Sequence, residues 1–153
     1  MNFDQLKLEN QICFPLYAAS RLITRAYQED LDALGITYTQ YLVLMVLWET
    51  DEITVNEIAE KLILNTNTVT PLLKRMENML ILTRKNSEID QRKVIVHLTE
   101  KGKGLQLEAA NIPFRLLNKL NIKMTENELK SALELKEKLY ALIHILEASE
   151  NNK

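Results

Sequence analysis

Between Thr54 and Gly102 the hydrophobic period of the chain changes from helical to alternating, a pattern that few folds accommodate. Thr54 and Glu57 have the spacing of a capping box, in which the hydroxyl accepts an orphan amide and the carboxylate reaches back to the cap. A helix is therefore predicted from Val55, burying Val55, Ile58, Ala59 and Leu62. After a turn at residues 62–65, Val69, Leu72, Leu73, Met76 and Leu80 recur at helical spacing. Residues 81–84 and 93–98 are then β-branched runs bracketing a polar segment, residues 85–92, which reads as a hairpin. Two short helices joined by a tight turn and followed by a hairpin make a winged helix-turn-helix. The expected fold is thus mainly α with a small β-wing.

The opposite face of the second helix carries Thr66, Asn67, Thr68, Thr70, Lys74 and Arg75, hydroxyls, amides and cations able to meet base edges and phosphates. Charge is concentrated in the same region. The whole chain has 19 Lys and Arg against 21 Asp and Glu, a net of −2, so it has no global basic footprint. Residues 71–104, however, hold eight basic and four acidic residues, a net of +4, which leaves −6 for the remainder. That is where a DNA-reading surface would need positive charge. On these residues alone a competing reading stays open, since any amphipathic helix has a solvated, charged face.

At 153 residues and 46% hydrophobic the chain can bury one good core, so a single domain spanning residues 1–153 is expected. The longest apolar run, residues 41–48, is far shorter than the roughly 20 residues that cross a bilayer. The N-terminal MNFDQLKLENQ has neither the basic nor the apolar region of a secretion signal. The single cysteine, Cys13, cannot close an internal disulfide, which fits a cytoplasmic location. His97 and His144 are too far apart to suggest a ligand motif, and no metal or cofactor is expected.

Taken in order, residues 8–34 carry Ile12, Leu16, Ala19, Ile23, Tyr27, Leu31 and Leu34 in steps of three or four, a long amphipathic helix closed by Gly35. Pro15 must either stand near its start, around Phe14, or kink it. Thr37 with Gln40 is a second capping box, and the run that follows is apolar nearly all round, so this helix is expected at the buried centre. Residues 49–53 read as a polar turn. Thr99 should cap a long helix to about Leu120, kinked at Pro113. Thr125 with Glu128 opens a last helix striped by Leu129, Leu133, Leu135, Leu139, Leu142, Ile143 and Leu146. A reading unit of residues 36–102 needs little of the apolar surface at the two chain ends. Residues 1–35 and 103–153 are accordingly expected to form a symmetric homodimer that presents two heads to a pseudo-palindromic operator. The alternative is a monomeric helical bundle.

The segments TVTPLLKRME and DQRKVIVHLTEKG resemble those of MarR-type transcriptional regulators, whose wing bears an Asp-x-Arg motif, here Asp90 and Arg92. Upstream, QICFPLYAASR and GITYTQYLVLMVLWE are similar to one branch, the organic hydroperoxide resistance regulators (OhrR). The resemblance implies that Cys13 is a redox-sensing cysteine and that Tyr27 and Tyr38 hydrogen-bond to its thiolate. It implies DNA contacts from Thr66, Asn67, Thr68, Thr70, Lys74, Arg75 and Arg84, and a minor-groove Arg92 oriented by Asp90. It also begins the second helix near Thr66, whereas spacing alone would begin it at Pro71. Without the resemblance, a lone cysteine beside Ile12 and Phe14 is most often a small buried hydrophobe.

On one straight helix Cys13 and Tyr27, 14 residues apart, lie about 21 Å apart at 1.5 Å per residue. If they meet, the simplest route is across an antiparallel pair of N-terminal helices, with the tyrosines supplied by a second copy. Peroxide attack needs a thiolate, and a helix N-terminus and two phenol donors both favour the anion. The apolar neighbours suit an organic hydroperoxide. Oxidation would then give a sulfenic acid able to condense with a small cellular thiol, to form a sulfenamide or to over-oxidise. The expectation is a repressor that releases its operator on oxidation. Release by a small aromatic ligand is the alternative within the same class. A thiol peroxidase is disfavoured by the lack of a resolving cysteine and of any CxxC motif.

Overall fold

Pro15 decides where the first long helix begins. A proline's missing amide is harmless in a first turn. In the computed structural model, which describes residues 3–122 and 125–151, α1 runs Cys13–Ala33 with Pro15 in that turn. The helix therefore starts at Cys13 and does not extend back to residue 8. Asp4–Leu6 and Leu8–Asn10 form separate 3-10 turns before it. Gly35, at φ 68°, closes α1, and the amide of Ile36 donates to the Leu31 carbonyl at 3.0 Å.

The predicted capping box opens α2 (Tyr38–Glu49): the Gln40 amide donates to Thr37 Oγ1 at 3.4 Å, and the Thr37 amide to Gln40 Oε1 at 2.8 Å. Tyr41, Val43, Leu44, Val46 and Leu47 are all buried, so α2 has to be surrounded. Ile58, Val69, Leu73, Met76, Val96 and Ile112 join it in one core. Each fully buried aliphatic side chain there contributes about 1.5–3 kcal/mol.

Around α2 the chain lays down β1 (Ile53–Thr54), α3 (Val55–Lys61), α4 (Thr66–Asn78), β2 (Leu82–Asn86) and β3 (Val94–Leu98). The helix α4 begins at Thr66, with Pro71 inside it. The two strands at 82–86 and 94–98 form the expected hairpin, with Arg84 opposite Val96. A third strand was not expected. Residues 53 and 54, read from sequence as the end of a turn and a cap, pair with β3 through Ile53↔Val96 and Thr54↔Ile95, giving the sheet order β1-β3-β2. Two residues are too few for alternation to register. Asp51 prolongs this edge, its Oδ1 accepting the amides of Leu98 at 3.0 Å and Glu52 at 2.9 Å.

The single long helix predicted after Thr99 is two, α5 (Glu100–Ala109) and α6 (Ile112–Lys119). A continuous helix would leave the Ala109 carbonyl facing Pro113, with a clash and no donor. The chain re-initiates instead, and Pro113 sits in the first turn of the new helix. The third capping box holds: Thr125 Oγ1 accepts the Glu128 amide at 3.3 Å and opens α7 (Glu126–Asn151). The chain forms two compact units, Met1–Pro113 and Phe114–Lys153. Along the second, Phe114, Leu129, Leu133, Leu135, Tyr140 and Ile145 are exposed. Among the described residues no single helix is long and apolar enough to cross a membrane.

Gly102 marks the tightest junction. A Cβ there would lie 2.1 Å from the Ile81 carbonyl oxygen and 3.0 Å from Leu98 Cδ2, and the Gly102 carbonyl accepts the Trp48 indole N–H at 2.9 Å. Gly104, two residues on, has open space at the same position. Urea unfolding is expected to show Gly102→Ala destabilised by about 1–3 kcal/mol and Gly104→Ala unchanged or stabilised by up to about 1 kcal/mol. Equal midpoints for the two variants would contradict the packing.

Candidate nucleic-acid interface and thiol site

The reading surface is built from the turn between α3 and α4. Ile63 takes the left-handed conformation at φ 55°, and the Leu64 amide returns to the Ala59 carbonyl at 2.9 Å. That closes α3 in three residues and swings α4 across it. Val69, Leu72, Leu73 and Met76 are buried, which fixes the rotation of α4. Thr66, Asn67, Thr68, Thr70, Lys74 and Arg75 are consequently all exposed, on one side of the helix or its first turn. The Asn65 side chain makes no capping hydrogen bond, so it leaves the first-turn amides to other acceptors.

The wing is stiffened at its tip. Ser87 Oγ accepts the amides of Ile89 at 3.2 Å and Asp90 at 3.3 Å. Asp90 Oδ1 accepts both the amide of Arg92 at 3.1 Å and its Nε–H at 3.3 Å, so the carboxylate and the arginine of the Asp-x-Arg segment are in contact. The Arg92 side chain is 92% exposed. Between the start of α3, the first turns of α4 and the base of the wing lies a cleft of about 500 Å³ lined by Thr54, Glu57, Thr66, Thr70, Arg84 and Arg92.

Charge at this surface is less than the sequence count suggests, because several cations are used within the fold. Lys101 donates to the Met79 carbonyl at the end of α4 at 2.9 Å, and Lys103 pairs with Glu100 at 3.2 Å. Arg84 is half-buried and pairs with Glu77 at 2.7 Å. Hydrogen bonds from Arg84 hold the Glu77 carboxyl below its ordinary value of 4.5. Glu57 is lowered likewise, first by the Thr54 hydroxyl that donates to it.

The thiol site is split within one chain. Cys13 is exposed at the first position of α1, among the exposed Ile12, Phe14 and Leu16. Because α1 is continuous from Cys13 past Tyr27, the two are separated by about 21 Å along its axis. Tyr27 and Tyr38 do come together, with ring centroids 5.4 Å apart, and Tyr41 joins them at 6.0 Å from Tyr27. Burial, then the neighbouring Tyr38, raises the pKa of Tyr27 above 10.0, so its hydroxyl stays a donor at neutral pH. Tyr41 in turn meets Trp48 edge-on at 6.2 Å. Among the described residues no group of His, Cys, Asp and Glu could hold a metal ion.

Three residues that sequence spacing does not single out emerge here. Glu77 is half-buried beneath the wing, and its partner lies seven residues away across a turn, where no periodic rule applies. Ile89 is 100% exposed at the wing tip, an apolar side chain that a hairpin period alone does not distinguish. Trp48 reads as another core aromatic until its indole is seen on Gly102.

The fold and this exposed face define a winged-helix DNA-binding protein. A family model described as transcriptional regulator SarA/Rot matches residues 25–108. The organic hydroperoxide resistance transcriptional regulator of Bacillus subtilis is 47% identical over 144 residues, 94% of this chain and 95% of that one. The HTH-type transcriptional regulator MgrA of Staphylococcus aureus is 37% identical over 92% and 93% of the two chains. Among solved structures, reduced AbfR bound to DNA superposes with a TM-score of 0.75 at 36% identity, over 94% of this chain and 99% of that one. AbfR of Staphylococcus epidermidis gives a TM-score of 0.73 at 34% identity, over 94% and 96%. The chain belongs to the MarR-type transcriptional regulators, in the branch of the organic hydroperoxide resistance regulators.

Two outcomes follow from this geometry. Arg92→Ala should weaken operator binding by about 1–3 kcal/mol if the side chain reads bases, or lower the salt slope by about one if it meets phosphate; anisotropy titrations across salt that change neither would remove the wing contact. The lowered carboxyls of Glu57 and Glu77 add stability that is complete above 4.5 and is lost as pH falls through their folded values. Glu57→Gln/Glu77→Gln should therefore lose less stability than the parent between about pH 5 and pH 3. Parallel acid profiles would count against both hydrogen-bonded carboxylates.

Proposed function

We propose that this protein is a homodimeric, cytoplasmic repressor that binds a pseudo-palindromic operator and releases it when an organic hydroperoxide oxidises Cys13. In this reading residues 36–102 are the DNA reader, and residues 1–35 and 103–153 join the two copies. The observation that carries it is the split thiol site. Cys13 stands exposed at one end of an unbroken helix, while the tyrosine pair that suits a thiolate lies about 21 Å along it. An antiparallel second copy of α1 brings one chain's Cys13 to the other's Tyr27 and Tyr38. The exposed Phe3, Leu6 and Leu8 before α1, Ile12 next to the cysteine, and Leu22 and Ile23 further along α1 are apolar surface that a second copy would cover. The name of the Bacillus subtilis relative supports the class of oxidant.

The chemistry follows from the groups present. The Cys13 thiolate attacks the distal oxygen of the hydroperoxide, the O–O bond breaks to give a sulfenic acid and an alkoxide, and the alkoxide takes a proton from solvent and leaves as the alcohol. With one cysteine in the chain, that sulfur condenses with a small cellular thiol and loses water, forms a sulfenamide or oxidises further. Each product adds bulk or polarity where two helices pack, which shifts the two heads apart from the spacing of their half-sites. In the resting state DNA contacts come from Thr66, Asn67, Thr68, Thr70, Lys74 and Arg75, with Arg92 on the wing held by Asp90.

Cys13→Ser should bind operator as tightly as the parent and stay bound when cumene hydroperoxide is added. Release of the serine variant to the same extent would end the sensing role. Indifference of the parent to peroxide, together with release by small aromatic acids, would favour the ligand-released alternative. Sedimentation of the reduced protein as a monomer at micromolar concentration would refute the shared thiol site.

A further inference from the structure

We propose that Glu77 and Arg84 form a strut that sets the angle of the wing to α4, so that Arg84 acts in operator reading as a positioning residue through Glu77 and not as a phosphate contact. The inference rests on the DNA-binding reading above and goes beyond it.

Three donors of Arg84 converge on one carboxylate. The backbone amide donates to Glu77 Oε1 at 2.9 Å, and Nε and Nη2 donate to Oε2 at 3.0 and 2.7 Å. In the sheet order β1-β3-β2, β2 is an edge strand paired only with β3. Alternate residues of such a strand point their amides away from the ladder. The Arg84 amide turns outwards in this way, and Glu77, from the last turn of α4, takes the place that a further strand would fill. The side chain then locks the same two residues a second time through a fork whose planar geometry fixes direction as well as distance.

Glu77 and Arg84 bracket the sharp connection at Leu80, which has φ 60°. The recognition helix and the wing are thus joined on both sides of that bend, by the chain on one and by the ion pair on the other. The contrast with Arg92 is direct: its side chain is 92% exposed, that of Arg84 20%. Arg84 lines the cleft at the reading surface, yet the edge of the guanidinium carrying Nε and Nη2 is occupied by Glu77. A cation committed in this way is partly neutralised before any phosphate arrives.

The sign of the charge effect separates the two roles. Glu77 is an anion close to a surface meant for DNA, so if charge alone mattered, removing it would strengthen binding and steepen the salt dependence. A strut requires the reverse. The test uses a duplex selected from random sequence by the parent protein, with affinities corrected by stoichiometric titration for the active fraction and measured well below each variant's melting temperature. Glu77→Gln is expected to weaken binding about tenfold, with the salt slope unchanged. Arg84→Lys keeps the charge but loses the fork, and should match it at about tenfold. The double variant should be no worse than either single one, because both remove the same contact. A phosphate contact predicts otherwise: Arg84→Lys near parental, Arg84→Gln lowering the salt slope by about one, and Glu77→Gln binding as well as the parent or better. That set of results would overturn the strut. Hydrogen exchange gives a readout independent of DNA, since the Arg84 amide should exchange faster in Glu77→Ala than in the parent, and unchanged protection would also overturn it. If the parent selects no duplex at all, the DNA-binding reading fails, and the exchange measurement still decides the strut.

Discussion

The carbonyl oxygen of Ile81 is the point on which the reading head depends. It accepts the Thr99 amide at 3.1 Å and the Thr99 hydroxyl at 2.9 Å, and the missing side chain of Gly102 lets α5 start directly against it. Ile81 follows the last turn of α4, leads into β2 and is itself buried. One oxygen therefore fixes the end of the recognition helix, the root of the wing and the beginning of the next helix relative to one another. Trp48 brings the central helix into the same junction through the Gly102 carbonyl, and Lys101 closes the end of α4 from the other side. This small knot of backbone groups, together with the buried stripe of Val69, Leu72, Leu73 and Met76, holds α4 and the side chains it exposes in register.

Electrostatics at the surface follows from the same economy. A cation near a helix end, or beside a carboxylate on an edge strand, is drawn first to the chain's own unsatisfied groups. Lys101 and Arg84 are placed in that way and Lys103 pairs with Glu100 in the first turn of α5, whereas Lys74 and Arg75 on α4 and Arg92, 92% exposed beside Asp90 on the wing, face solvent. Field strength thus falls on the exposed face of one helix and on one hairpin tip, a narrow footprint that suits a groove better than a broad charged plane suits it.

What could be read from the residues was what is local. Thr37 with Gln40, Thr54 with Glu57 and Thr125 with Glu128 are pairs three apart whose hydrogen bonds lie within a single turn, and all three form. The buried centre at α2 is equally plain, since eight consecutive apolar residues give a helix no polar face, and all but the exposed Met45 are buried or half-buried. Local pattern misleads where a distant segment decides. The strand at Ile53 exists only because β3 has a free edge to pair with, and the break before α6 reflects an unfavourable proline that a spacing rule tolerates as a bend. Glu77 was invisible because its partner is chosen by a reversal of chain direction at Leu80. On the thiol side, the distance along α1 followed from arithmetic, while the contact between Tyr27 and Tyr38 depends on how α2 turns back beside α1.

Trp48 occupies an unusual position in this arrangement. It is the chain's one tryptophan, its ring edge lies on Tyr41, which touches both Tyr27 and Tyr38, and its indole N–H is bound at the junction beneath the wing. Indole emission depends on that N–H bond and on the neighbouring rings, and the Tyr27, Tyr38 and Tyr41 cluster beside it can transfer excitation to it. The molecule thus carries a single built-in fluorophore wired at one end to the phenol cluster and at the other to the base of the DNA reader, and its colour and lifetime register a change at either without any label being attached.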